Sequence, residues 1–473
     1  MRGVAGGWNY DASGQYGHNS FAFTIGDTLN VSLGPTVPPN KSEFDAGTLQ
    51  LNQFVGNVDV SRPFKVGLAG PVNVAFGGEY RRENYQIQAG EPDSYGNGGV
   101  PNQFGGIAAI GAQVFPGFRP SNEVDESRNS VAGYIDLEGD VIRWLRLGVA
   151  GRAEHYSDFG QTIDGKLTAR VQFDPRLVFR GSLSSGFRAP SLGQSFFSST
   201  ATNFVNLGQG LVPVESLTLP VASAPAQVLG AAPLKPENSF HTSGGIVITP
   251  IPALDITVDY YRIAIDDRIV LSGNFNSPAV AMLLAPFGAN SARFFTNAID
   301  TRTNGIDATA NYRITLEPAG ELRLRASYNN TRSTIVGTIA TPPQLIGLES
   351  VLFDRIEQRR IECGQPRDSL RLGGNWRRRR LGANVDLARY GQYCSFTLNP
   401  ADDQQYGAKW LTDLEASYNT GGYTLAAGVQ NVFDVFPERN TTVNSFNGIQ
   451  TFPSHSPFGM NGRAVYGRLA VTF

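Results

Sequence analysis

The last ten residues of the chain, Ala464 to Phe473, alternate two kinds of side chain along one extended segment. Because successive side chains of a β-strand point to opposite faces, this segment has one apolar face and one polar face. Such a strand requires lipid on one side and water on the other, which is typical of a transmembrane β-barrel. The same pattern recurs from the first hundred residues onward. The apolar set here is Val465, Leu469, Val471 and Phe473.

The composition excludes several other classes of protein. Only 17% of the 473 residues are charged, yet no window holds the roughly 18 to 20 uninterrupted apolar residues of a membrane helix. The counts of 54 Gly, 29 Phe and 17 Tyr favour aromatic-rich strands with many turns. A net charge of −2 gives no reason to propose nucleic acid as a partner. We therefore predict one all-β unit over residues 1–473, since a barrel closes a long chain into a single domain.

Strand patterns occur in pairs that short turns join at one end. Asp174–Arg176, for example, separates Leu167–Phe173 from Leu177–Phe187. Counting such segments gives ~16 antiparallel strands, and the asymmetry of loop length places short turns in the periplasm and long loops outside the cell. The long connections are rich in Pro, Gly and Asn and span 89–129, 188–238, 270–294, 336–367, 395–409 and 434–463.

The two faces can be followed residue by residue. In Leu322–Asn329 the side chains of Arg323 and Arg325 alternate with leucine and alanine. A charge on the lipid face near the midplane costs roughly 2 to 4 kcal/mol, so the arginines must face a wet interior. Two stacked sheets would instead bury the apolar set in a shared protein core. The side chains that distinguish these arrangements are Leu322, Leu324, Leu469 and Val471.

The two cysteines lie at equal distances from a predicted hairpin turn at Arg377–Arg380. Cys363 and Cys394 are therefore expected to face each other at the long-loop end, where an exported chain would be oxidised. We predict a disulfide. The alternatives are two free thiols or a metal pair, but no histidine or further cysteine lies nearby to complete a coordination shell.

Searches for catalytic patterns find none. The 4 histidines are scattered, and the sequence has no HExxH, CxxC, Walker loop or nucleophile elbow. The basic run Arg377–Arg380 is more simply a solvated hairpin tip than a nucleic-acid site. His155 and Asp158 fall at a loop mouth, where exposed polar residues are expected. We predict a protein that is not an enzyme and binds no cofactor or metal.

Several segments, in order along the chain, resemble the successive signatures of the TonB-dependent receptor barrel. Gly78–Glu83 and Gly90–Pro92 also resemble the family. The principal segments are Ser185–Leu192, Leu234–Asn238, Leu254–Ile269, Asn297–Asp307, Asn431–Asp434 and the strand that ends on Phe473.

The resemblance implies a receptor in the outer membrane of Gram-negative type. Such a barrel has 22 strands, a pore filled by an N-terminal plug, and import driven by an energy-transducing complex that pulls on an N-terminal TonB box. It also implies that the outer-membrane assembly machinery recognises the C-terminal strand at Phe473. Since the sequence shows no plug, box or signal peptide, we expect a partial barrel that lacks the plug and the first strands. The alternatives are a complete, plugless, passive porin-like channel and a secreted β-rich protein.

The predicted substrate is a scarce, bulky small molecule that resembles a siderophore, a cobalamin or a carbohydrate. Large flat side chains on long outer loops offer stacking area for such a ligand, although packing of the loops on themselves would explain the same residues. The aromatic residues proposed for contact are Tyr95, Phe104, Phe115, Phe118, Phe196 and Phe197.

Overall fold

The computed structural model describes residues 1–34, 41–103, 105–106, 108–113, 115–206, 211–287, 289–445 and 448–471. Most of them form one large, mainly antiparallel sheet. Its strands are β1 (Arg2–Ala5), β2 (Trp8–Ile25), β3 (Phe44–Phe64), β4 (Val72–Gln88), β5 (Val124–Ile142), β6 (Leu145–Tyr156), β7 (Gly160–Asp174), β8 (Leu177–Arg188), β9 (Ser199–Asn206), β10 (Leu211–Leu219), β11 (Glu237–Ile251), β12 (Leu254–Leu271), β13 (Ser291–Leu316), β14 (Gly320–Val336), β15 (Asp368–Arg378), β16 (Leu381–Tyr390), β19 (Lys409–Asn419), β20 (Tyr423–Gln430) and β21 (Ala464–Val471). A separate small hairpin joins β17 (Tyr393–Ser395) to β18 (Gln404–Tyr406).

Sixteen long strands form a continuous wall, in the order β2–β8, β11–β16 and β19–β21, with each strand antiparallel to the next. This confirms the predicted strand number and pairing. The wall is not closed, because no pairing among the described residues joins β21 to β1 or β2. The short β1 covers β2 only from Ala5↔Trp8 to Arg2↔Asp11.

Tight turns connect the strands at one end of the wall. Gly6 and Gly7 join β1 to β2 with φ of 57° and 81°, a left-handed conformation that glycine adopts without steric cost. The turn between β15 and β16 is shorter than predicted: β15 extends into the basic run as far as Arg378, leaving only Arg379 and Arg380 before β16 begins at Leu381. Arg379 has a φ of 53°.

The long connections at the other end contain structure of their own. The expected loop 188–238 includes the β9–β10 hairpin, and β10 pairs in parallel with the start of β13 at Ser216↔Ser291. The prediction of a loop over 188–238, based on its content of Pro, Gly and Asn, is therefore wrong for β9 and β10. The helices in these connections are α1 (Pro92–Tyr95), α2 (Leu192–Phe196), α3 (Ala224–Val228), α4 (Pro278–Leu284), α5 (Glu349–Leu352) and α6 (Arg355–Glu362).

Apolar side chains of the wall point away from the protein. Leu324, Leu469 and Val471 are 40%, 62% and 42% exposed, so they share no core with a second sheet. The clusters of buried apolar residues lie instead among the long connections, which we call the cap. No described helix combines the length and apolarity needed to cross a membrane.

Candidate functional site

The inner face of the wall carries paired charges. Arg152 on β6 lies between two carboxylates, with its Nε 2.5 Å from Glu154 Oε1 and its Nη2 3.6 Å from Glu79 Oε2. On β8, Arg180 donates two hydrogen bonds to Asp259, at 2.9 and 2.5 Å. A guanidinium fork suits such shared contacts. The alternation predicted from the sequence therefore produces a polar lumen.

Tyrosine side chains on the inner face lie across glycines of the neighbouring strand. Tyr134 stands opposite Gly77, and a Cβ added to that glycine would lie 2.6 Å from the tyrosine ring. The Tyr134 hydroxyl reaches past the glycine to donate to Asp59 at 2.6 Å. Tyr261 lies in the same way over Gly305 and shares a hydrogen bond of 2.6 Å with Thr331. These glycines are required because only a missing Cβ lets the rings lie flat on the wall.

Two of the segments that resemble family signatures meet at the long-loop rim. Arg188 ends β8, Glu237 begins β11, and the two residues are register partners. Arg188 donates to Glu237 at 2.8 and 2.5 Å, and the backbone N–H of Ile269 on β12 donates to the same carboxylate at 2.8 Å. Glu237 is 4% exposed. One buried carboxylate thus ties three strands together where the loops begin.

A second clamp centres on Arg128, a residue that sequence reasoning did not identify. Arg128 is 5% exposed and donates to Glu83 at 3.0 and 2.6 Å, to Asp158 at 3.2 Å and to the Pro190 carbonyl at 2.6 Å. Its guanidinium carbon also lies 5.2 Å from the centre of the Tyr156 ring. The sequence held one indication of this clamp, since Glu83 and Pro190 both lie in segments that resemble the family. Asp158 is a hydrogen-bond partner of Arg128 in this clamp.

Asparagines at the rim fasten the remaining signature segments. Asn297 donates to the backbone carbonyls of Lys235 and Asp267, at 3.0 and 2.6 Å, and accepts from the Lys235 N–H at 2.9 Å. Asn431, with a φ of 50°, exchanges two hydrogen bonds with the Val435 backbone, at 2.8 and 2.9 Å. The left-handed backbone suits asparagine, whose side chain replaces backbone partners in such turns. These contacts fix where each loop leaves the wall.

The aromatic residues predicted to contact substrate form part of a cap core. Phe118 is 2% exposed, its ring centre lying 5.4 Å from that of Phe115 and 6.1 Å from that of Phe197. Phe196 packs against the same cluster, and Tyr95 ends α1 in a half-buried position. Phe104 and Phe473 lie outside the described residues. The observed contacts are those of loop packing, and a ligand role for these rings stays a prediction.

Cys363 and Cys394 are close together at the long-loop end, with their Sγ atoms in bonding contact and their Cα atoms 5.7 Å apart. The backbone N–H of Cys394 donates to the Cys363 carbonyl at 3.1 Å. The wall register would place Phe396 opposite Cys363, because Ser369 pairs with Tyr390. The cysteines meet because both strands end before reaching them.

The cap core next to this site is aromatic. Tyr393 and Tyr406 stack with ring centres 4.8 Å apart, and burial raises the pKa of the Tyr406 hydroxyl. His455 lies edge-on to Tyr393, and its Nε2 is 2.8 Å from the Cys394 carbonyl oxygen. Within the described ranges, no group of three or more His, Cys, Asp or Glu residues could hold a metal ion.

The antiparallel wall has an apolar outer face and a charged inner face, with tight turns at one end and a folded cap at the other. These features define the wall of a transmembrane barrel protein. The family described as "TonB dependent receptor-like, beta-barrel" matches residues 2–432, and the chain belongs to this family. Its members are transporters rather than enzymes and lie in the Gram-negative outer membrane. The predicted receptor class and location are thereby confirmed.

Solved structures of siderophore receptors share the fold. The siderophore receptor PirA of Acinetobacter baumannii matches with a TM-score of 0.65 and 15% identity, over 100% of this chain and 61% of that chain. A mutant ferric enterobactin receptor (PfeA) of Pseudomonas aeruginosa matches with the same TM-score and identity, over 100% and 60%. An iron-regulated outer membrane virulence protein of Vibrio cholerae serotype O1 is 24% identical over 215 residues, which is 45% of this chain and 29% of that protein. The chain thus spans about three-fifths of the solved relatives' length.

Proposed function

We propose that this chain forms the larger part of a receptor that takes up a scarce, bulky small molecule by an energised route. Family membership and the fold shared with siderophore receptors support this proposal. Among the predicted substrates, the relatives favour a siderophore-like iron chelate over a cobalamin or a carbohydrate. The proposed partners are this ligand, the outer-membrane lipid, the TonB complex and the outer-membrane assembly machinery.

The observation that carries the first part of the proposal, that this chain is a portion of a larger receptor, is the pair of free sheet edges. Beyond Ala12, β2 has a strand partner on one side only, and β21 pairs only with β20 in the described part of the chain. An unpaired backbone N–H or C=O group in hydrocarbon costs several kcal/mol, so membrane-spanning sheets close on themselves. We infer that further strands of the same receptor complete the wall, and that an N-terminal plug and TonB box belong to that larger protein.

A plugless, passive, porin-like channel is the second candidate, and the charged inner face favours it. Arg152, Arg180 and Arg468 with their carboxylate partners would line a water-filled pore. Recordings of purified protein in planar bilayers separate the two candidates. The receptor proposal predicts no stable conductance from this chain alone, whereas a porin would give uniform open steps.

Uptake measurements test the receptor proposal directly. The coding region ahead of Met1 would be read for plug and box sequences, and the completed receptor would be expressed in cells that lack their own siderophore receptors. Uptake of radiolabelled ferric siderophores should appear with the receptor and disappear when TonB is deleted. TonB-independent uptake would contradict the energised route. Replacing Phe196 and Phe197 with alanine tests the loop contacts: unchanged uptake would remove the proposed aromatic role.

A further inference from the structure

A polar cavity of about 590 Å³ lies in the cap beside the two cysteines. It is bounded by α6, by the start of β15, by the end of β16 and by the β17–β18 hairpin. Three arginines, Arg359, Arg367 and Arg389, line it together with Gln365, Gln392 and Gln405. We call the contacts that centre on Glu237, Arg128, Asn297 and Asn431 the rim clamps. The residues of the cavity belong neither to the rim clamps nor to the aromatic residues predicted to contact a transported ligand.

The strand register shows that the base of this cavity lies on the lipid side of the wall. Tyr328, Leu370, Arg389 and Trp410 are successive register partners across β14, β15, β16 and β19. Tyr328 and Trp410 are 40% and 44% exposed and lie on the same face of the wall as Leu324. Exposed tyrosine and tryptophan at the end of an apolar face mark the level of the lipid headgroups. Arg389 therefore lies at that level on the outer flank, not in the lumen.

The arginines of the cavity exceed the carboxylates available to them. Asp368 pairs with Arg389, and Asp403 accepts two hydrogen bonds from Arg355, at 2.9 and 2.5 Å. Arg359 has only longer contacts, 3.6 Å to Glu362 and 4.0 Å to Asp403.

The Nε atom of Arg359 is buried without a hydrogen-bond partner. The Arg359 side chain as a whole is 35% exposed and lines the cavity, so a ligand there would meet the exposed part of the guanidinium group and not Nε. Arg367 is exposed and forms no ion pair within 4.0 Å in the part of the chain that the structure describes. Arg367 is thus unpaired among the described residues and Arg359 makes only long ion pairs, so both guanidinium groups can bind an oxyanion.

The glutamines indicate the chemical class of the ligand to which the oxyanion belongs. Gln365, Gln392 and Gln405 are exposed at the cavity, and Gln405 donates to Gln392 at 2.8 Å, so the amides lie within reach of one another. Amides offer both donors and acceptors, which suits sugar hydroxyl groups, and guanidinium forks suit phosphate. We propose that this cavity binds the phosphorylated sugar headgroup of a lipid in the outer leaflet.

The cysteine pair holds the two sides of this site together. Cys363 caps the C-terminal end of α6, and Cys394 lies in the middle of β17. The contact between them fixes Arg359 on the helix relative to Gln392 near the hairpin. The site is thereby preorganised, which lowers the entropic cost of binding a headgroup. This inference rests on the location in the outer membrane and not on the proposed uptake.

Lipid binding to the full chain, folded in detergent micelles, tests the inference. The probes are diphosphorylated lipid A, the same lipid with both phosphates removed, and inorganic phosphate. The variant is Arg359→Gln with Arg367→Gln. The matched control is Arg360→Gln, since Arg360 neighbours Arg359 on α6 but is 62% exposed, pairs with Glu357 and does not line the cavity. We expect the double variant to bind diphosphorylated lipid A roughly a hundredfold more weakly, because each of the two charged contacts is worth about one factor of ten.

Three results would overturn the inference: equal affinity of the double variant and the native chain, equal affinity for the dephosphorylated lipid, or equally tight binding of inorganic phosphate alone. The last result would identify a free-anion site instead of a lipid site. Arg367→Glu alone provides a second test if the double variant misfolds, because Arg367 has no native ion pair to lose. This single variant should also weaken binding of the phosphorylated lipid and leave the dephosphorylated lipid unaffected.

Discussion

The wall and the cap use the same apolar residue types in opposite ways. Leu324 and Leu469 in the wall are 40% and 62% exposed, whereas Leu284, Leu345 and Leu352 in the cap are fully buried. The difference follows from the solvent that each region meets. Lipid surrounds the wall, so its leucines need no protein partner, while water surrounds the cap, which must bury its leucines as a soluble domain does.

The two regions are consequently stabilised by different interactions. Backbone hydrogen bonds and inner-face ion pairs such as Arg180–Asp259 hold the wall. An apolar cluster assembled from β10, α3, α4, β13 and α5 holds the cap. The rim clamps, of which Glu237 is the most buried member, connect the two. Cap and wall should therefore respond separately to substitution, and each prediction below tests that separation.

The largest expected effect is on the cap core. Phe294 is fully buried and lies 5.8 Å, centre to centre, from the Phe275 ring. Phe294→Ala should destabilise the cap by about 3 to 5 kcal/mol, because it leaves a cavity among packed side chains. The rate of amide hydrogen exchange should rise in the cap. The wall should stay folded, so that the unheated protein migrates on a denaturing gel as the native protein does. Phe240→Ala, at a 51% exposed wall position, is the control. Simultaneous loss of the wall would refute the separation.

The cysteine pair should contribute somewhat less. Cys363 and Cys394 are 31 residues apart, and closing a loop of that length removes unfolded-state entropy worth about 3 to 4 kcal/mol. Replacing both with serine should make the segment around α6 more sensitive to protease, with no effect on the β20–β21 pair. Alkylation without reductant followed by mass measurement checks the bond itself. Two alkylated thiols in the native chain would contradict the predicted disulfide.

A charge on the outer face of the wall should have a somewhat smaller effect. Leu324→Arg should cost roughly 2 to 4 kcal/mol in lipid vesicles, since the arginine would face hydrocarbon. Asn329→Arg, five positions along β14, places the same side chain on the inner face opposite Asp307 and should cost little. Unfolding by denaturant in vesicles compares the two. Equal destabilisation would mean that β14 does not separate lipid from water.

The wall could be predicted from sequence because its period is local. In β14 the alternation of leucine with Arg323 and Arg325 shows both faces within one segment. The rim clamps could be predicted from the sequence only in part. Glu237 and Asn297 lay in recognisable segments, but Arg128 combines partners 45 and 62 residues away that no local pattern connects.

The cap could not be predicted because its contacts are not periodic. Its main cluster joins Leu219 to Phe353 through residues on several short elements. The parallel pairing of β10 with β13 likewise depends on this assembly. Aromatic residues such as Phe118 were conspicuous in the sequence, but the sequence could not indicate whether they pack on one another or face a ligand.

The smallest predicted effect is a pH response confined to the cap. Hydrogen bonds from Arg355 hold the pKa of the Asp403 carboxyl below its ordinary value of 3.8. The pair therefore stabilises the cap fully above that value and loses its contribution as the pH falls through the lowered pKa. Both side chains are partly exposed, so the contribution should be below about 1 kcal/mol.

Amide exchange at Thr397, whose N–H donates to Asp403 at 3.4 Å, measures this contribution. Asp403→Asn should abolish the acid response, whereas Asp402→Asn, which changes a residue bonded to Asn399, should retain it. An acid response that survives Asp403→Asn would assign it to another carboxylate, and a matching response in the wall would mean that the two regions are coupled.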